Sequence, residues 1–171
     1  MKILNFMSKT ILIAFFLAFW TFSFCQEKRN AFKLEIVADK EHQYGADIPE
    51  SPYFVADKVL QIYCGEKLFV ECEIKSDTIF EMKVVKENKN PKKTIEIDFY
   101  QEAEDRENII TMLSVKNPFD KTLLYDAVMF TPISQTWKRT SIIPVRPTIY
   151  SFETWPHSII TLVLENWRFV E

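Results

Sequence analysis

Glycine is nearly missing from this chain, with Gly45 and Gly65 the only two in 171 residues. Loops that bring backbone close to a phosphate are built on glycines, and the sequence has no GxGxxG, no GxxxxGK and no GxSxG. Dinucleotide sites, Walker-type nucleotide sites and the α/β-hydrolase elbow are excluded on that ground. Histidine is just as scarce. His42 and His157 alone are too few for a transition-metal site without help from distant residues. None of the three cysteines falls in a CxxC pair, so thiolate metal sites and dithiol redox motifs lack their spacing. No cofactor is implied. Positive charge is not in excess either: the net charge is −3 at pH 7. Nucleic acid is therefore not an expected partner. The longest basic cluster, Lys86 to Lys93, is cut by Glu87 and Pro91 and reads as a solvated hairpin tip.

The opening residues are the one place where apolar side chains run unbroken. Lys2 and Lys9 precede the stretch Ile11 to Trp20, and no acidic residue occurs before Glu27. A basic start, a short apolar middle and a small-residue end predict a secretory signal peptide over residues 1–25. The run is shorter than the ~20 residues a membrane-spanning helix needs, so no stable membrane span is expected after cleavage. Ser23 and Cys25 supply small side chains for a cut before Gln26. Lipid attachment at Cys25 is the alternative, and Phe24 in front of it disfavours that reading. Residues 26–171 then form a single exported domain, secreted or periplasmic.

Alternation with a period of two dominates from residue 57 onward. Leu68, Val70, Cys72 and Ile74 share one face of KLFVECEI. Phe80, Met82 and Val84 share one face of FEMKV, and Ile95, Ile97 and Phe99 one face of TIEIDFY. Three such runs in succession predict an antiparallel meander. NIITMLSV, TLLYDAVMF and WKRTSIIPV continue the style. SIITLVLENWRFV, apolar and β-branched in its middle, predicts a central strand. AFKLEIVA reads as a first strand, and Ala38 to Tyr53, with Gly45, Pro49 and Pro52, as a long loop. About nine strands with regular turn signals predict an all-β antiparallel sandwich, immunoglobulin-like in architecture. A closed up-and-down β-barrel is second choice.

Export makes the remaining pair, Cys64 and Cys72, candidates for a disulfide. A tight hairpin at Gly65-Glu66 would hold them more than roughly 15 Å apart, beyond the ~7 Å that a bridge tolerates. Two buried thiols are the competing reading.

The densest cluster of chemical groups is SFETWPHSI, Ser151 to Ile159. Glu153 and His157 would share a helical face, but Pro156 breaks the turn. In an extended chain Ser151, Glu153, Trp155 and His157 lie on one side, nearly 7 Å apart in succession, too far for a hydrogen-bonded relay. No catalytic residue is assigned. Trp137, Tyr150 and Trp155, with Phe152, Arg139 and Arg146 near them in sequence, are the candidate binding residues, against the reading that the tryptophans fill the core. The acidic run Gln101 to Asn108 lacks the spacing of a calcium loop, so no metal is assigned. The resulting expectation is a non-enzymatic exported protein that binds a protein or glycan ligand. The alternatives are a hydrolase whose site is gathered from separate loops, in a cleft gathering at least two of His42, His157 and the loop carboxylates, and a protease inhibitor acting through the Ala38–Tyr53 loop.

Overall fold

The computed structural model describes residues 27–104 and 106–170. The expected signal peptide and Cys25 lie outside them.

Ten of the strands form two five-stranded antiparallel sheets. In the first sheet the order is β13 (Tyr150–Trp155), β10 (Ile110–Lys116), β9 (Thr94–Glu102), β7 (Glu66–Lys75) and β8 (Thr78–Val85). In the second it is β12 (Trp137–Thr140), β11 (Thr122–Phe130), β14 (Thr161–Val170), β6 (Val59–Tyr63) and β5 (Phe54–Ala56). The alternating apolar residues of both sheets meet in one core: Val70, Ile95, Ile97, Phe99 and Leu113 from the first, Leu60, Ile62, Leu123, Leu162 and Leu164 from the second. The fold is the all-β sandwich that the alternation predicts, with open edges in place of a closed barrel. β14 occupies the centre of its sheet, as its composition requires.

Several local expectations are corrected. The link at Cys64-Gly65 is no hairpin, because β6 and β7 belong to different sheets. Gly65 turns the chain at φ 93°, a conformation that L side chains rarely adopt. Its N–H donates to the carbonyl of Phe99 in the first sheet (2.7 Å), and that of Cys64 to Ile160 on the way into the second (3.0 Å). The runs β7, β8 and β9 are no meander either: β7 lies between the other two. The segment 86–93, expected as a solvated tip, crosses the outer face of β7. There Asn90 Nδ2 donates to Glu71 Oε2 (2.6 Å), and Cys72 N donates to the Lys93 carbonyl (2.9 Å).

A bulge explains a third difference. Glu73 pairs with Glu81 and Ile74 with Ile79, which leaves Phe80 as the extra residue. Phe80 turns outward at 54% exposure and Ile79 takes the inside position, while Ile74, its partner near the end of the ladder, is 38% exposed.

The supposed long loop is largely strand. β2 (Phe32–Val37) pairs with β3 (Gln43–Ile48) along their whole length, and β4 (Ser51–Pro52) pairs with β1 (Lys28–Arg29). The β2–β3 hairpin covers the end of the sandwich where β6 stops and β14 begins. Gln101 holds it by accepting from Val37 N (2.9 Å) and donating to Val37 O (3.0 Å); the Ser158 hydroxyl donates to the Val37 and Ala38 carbonyls. Leu34, Ile36 and Ile48 are thereby buried.

Candidate functional site

Ser151 to Trp155 extends as the edge strand β13, so its side chains alternate as the geometry demands. Trp155 points inward and is buried. Its indole N–H donates to Thr140 Oγ1 of β12 (2.9 Å), tying the matching edges of the two sheets together. It is therefore a core residue, and its candidacy for binding is withdrawn. Glu153 Oε1 accepts from the backbone N–H of Ile143 (2.6 Å), on the segment that bridges β12 and β13. The His157 ring meets the carbonyl of Ser158 through Nδ1 (3.3 Å), and the Ser158 hydroxyl already serves the hairpin. No side-chain relay joins serine, histidine and carboxylate among the described residues.

The outward face of the same strand is different. Tyr150 and Phe152 are 44% and 61% exposed. Their rings lie 6.2 Å apart at 23°, one beside the other on the outer surface of the sheet. Across the ladder stand Lys116 and Ser114 of β10, with Glu96 and Asp98 of β9 beyond them. Lys116 Nζ donates to Glu96 Oε1 (3.0 Å) and sits 5.3 Å from the centroid of the Tyr150 ring, while the Tyr150 hydroxyl donates to Glu96 Oε2 (3.2 Å). Partial burial alone would raise the Glu96 carboxyl, but hydrogen bonds from Lys116, Tyr150 and Asn88 and the charge of Lys116 outweigh it. The net shift is downward, so the carboxylate stays ionised. Ile149, also exposed, adjoins the strand in sequence, and the exposed Ile143 lies on the segment that leads to it. Trp137, the third candidate, is exposed on β12 in the other sheet and lies against Phe130 at 5.1 Å. Arg139 is engaged with Glu165 (3.3 Å). The sequence candidates therefore divide between two sheets and the core.

The two thiols are buried and free, so the Cys64–Cys72 bridge is not formed. With β6 and β7 in different sheets, the hairpin that framed the question does not exist. Burial pushes both thiols up to about 12.

His42 pairs with Asp39 through Nδ1 (2.9 Å) on the exposed hairpin turn. Backbone N–H groups of Glu41 and His42, with that ring, hold the Asp39 carboxyl below its ordinary range. Beside the turn opens a cleft of about 430 Å³ lined by Asp39, Lys40, Arg106, Glu107, Ile133 and His157, among others. One histidine and two loop carboxylates thus meet there, with His42 bound to one of them. No group of three or more His, Cys, Asp and Glu side chains able to hold a metal occurs among the described residues.

Sequence reasoning missed Arg29. It is 2% exposed, and its guanidinium is gripped from every side. Nε and Nη2 donate to the two oxygens of Glu66 (2.6 and 3.0 Å), Nη2 also to Gln61 O (2.7 Å), and Nη1 to Ser51 Oγ (3.1 Å). The rings of Tyr53 and Tyr63 flank it at 4.6 and 4.8 Å. With four of its five donors occupied, it locks β1 and β4 onto the sandwich. Comparison with models of protein families, with curated proteins and with solved structures gives no match to this chain.

Proposed function

We propose that this is an exported, non-enzymatic binding protein, secreted or periplasmic, that holds a protein or glycan ligand against the β13 flank. One observation carries the reading. Tyr150 and Phe152 stand exposed and side by side on the outer face of an edge strand, next in sequence to the exposed Ile149. Single exposed hydrophobics are ordinary on a monomer, whereas clustered ones mark contact surfaces. Rigid aromatic rings give large contact area for little lost entropy, which is why binding surfaces favour them. Polar groups already ordered beside them, Glu96 and Lys116, are suited to orient a ligand at small further cost.

Export rests on the opening segment, with its two lysines and short apolar run. The non-enzymatic part is supported by the separation of Ser151, Glu153 and His157 along and beyond β13. Capture of envelope proteins and of immobilised glycans by the mature chain, beside a Tyr150→Ser/Phe152→Ser variant, tests the reading. A ligand held by the parent chain and lost by the variant, at an unchanged thermal midpoint, is the expected result. Equal capture by both chains would overturn it, and the two arms separate protein from glycan.

A further inference from the structure

Away from the β13 flank, the end of the sandwich beside the β2–β3 hairpin carries a trough of its own. Beside the 430 Å³ cleft there lies a second opening of about 220 Å³, and Ile133 and His157 line both. The larger has the size of a small-molecule site, and both are too small for a folded partner. The floor is apolar: Ile133 is 69% exposed and Ile110 38%, with Ile109, Pro156 and Met129 around them. The rim is unbalanced in charge. Its carboxylates are engaged, Asp39 by His42 (2.9 Å) and Glu107 by Lys40 (3.7 Å). Arg106 and Lys138 make no ion pair with a carboxylate among the described residues. In a chain of net charge −3, two cations without a carboxylate partner among the described residues, set beside an apolar floor, suit a negative group that comes from outside.

We propose that this trough binds a small amphiphile with an anionic head and an unbranched apolar tail, such as a medium-chain carboxylate. The head is set towards Arg106, which lines the larger opening, and Lys138, which lines the smaller, and the tail lies on Ile133 and Ile110. Both terms are needed. An exposed ion pair contributes little by itself, while each methylene the tail buries adds to affinity through the hydrophobic effect. This site is independent of the β13 flank, and either can stand without the other.

Titration with decanoate below its micelle concentration, followed by calorimetry and by backbone amide shifts, tests the proposal. One saturable site is expected, with shifts concentrated at 106–110, 133–138 and 157. Decanol, which lacks the charge, and acetate, which lacks the tail, should each bind at least ~10-fold more weakly, a difference of about 1.4 kcal/mol. Arg106→Glu/Lys138→Glu should weaken decanoate by a similar factor while circular dichroism and the thermal midpoint stay as in the parent. Phe152→Ser should bind decanoate as the parent does, whatever it does to capture at β13. Equal affinity for decanol, parent-like binding by the double variant, or shifts centred on β13 would each overturn the site. So would adsorption to phosphatidylglycerol vesicles without binding of monomeric decanoate, since that would assign the cations to a lipid surface.

Discussion

Arg29 shows how much one side chain can do without announcing itself in sequence. A buried charge is tolerated only with a partner and hydrogen bonds, and Glu66 supplies both from 37 residues away. Arg29→Met leaves that carboxylate without its counter-ion and should lower stability by about 3–5 kcal/mol, read from urea denaturation. Arg29→Met/Glu66→Gln should recover part of the loss, and an unchanged urea midpoint in the single variant would show the pair to be dispensable. The thiols offer a second reading at this scale. Cys64 and Cys72 are 4% and 1% exposed and their thiols lie far above the usual range, so neither should react with a disulfide reagent at pH 8 until the chain is unfolded. Stoichiometric labelling of native protein would contradict their placement. Trp155 is the opposite case to Arg29. Its type and its alternation in SFETWPHSI were visible, but which face of β13 met the core depended on pairing with β10, and that pairing is not local.

Individual strands were legible because half-buried ladders force a period of two, and β11 falls on TLLYDAVMF from its first residue to its last. Neighbour order was not legible. Three alternating runs are equally compatible with the order 7-8-9 and with the 9-7-8 that forms, since each buries the same residues; the choice is made by the segment 86–93 lying across β7. Phe80 misled for a related reason: a bulge shifts the inward phase by one residue, and nothing in TIFEMKVV marks where. The β2–β3 hairpin was hidden by Gly45 and the flanking prolines, and it is stable only as a cap on the sandwich end. Gln101 makes two of the bonds that seat it. Gln101→Ala should therefore loosen the hairpin selectively, at about 1 kcal/mol. Amides of 32–48 should exchange at least ~5-fold faster while those of β9 and β14 keep their protection. Uniform acceleration across the chain would mean that the hairpin and the sandwich open together.

Stability of the whole molecule should be bounded by pH on both sides, for reasons that lie in different parts of it. On the alkaline side, the folded chain holds protons on Cys64 and Cys72 up to about pH 12, while the unfolded chain releases them from near ~8.5. Between those values the unfolded state binds fewer protons, so stability falls as pH rises, by about 1.4 kcal/mol per pH unit for each thiol. On the acid side the sign reverses. Hydrogen bonds from Asn90 and Lys83 hold Glu71 below the ordinary carboxylate range, and those from Asn166 and Arg168 do the same for Asp126. Glu96 joins them through Lys116, Tyr150 and Asn88, against the pull of its burial. Their contribution is present above the unfolded carboxylate value near ~4 and is lost as pH falls through the depressed folded ones. Because these three groups are partly solvated, the acid limb should be shallow and should weaken further in high salt. The alkaline limb arises in the core and should be indifferent to salt. Urea denaturation between pH 3 and 11, at two ionic strengths, reads both limbs. Cys64→Ala/Cys72→Ala, although less stable at pH 7, should lose the thiol part of the alkaline decline. A variant that keeps the parent's full slope above pH 9 would move the origin of that limb off the two thiols and onto other groups, the buried Tyr125 hydroxyl among them.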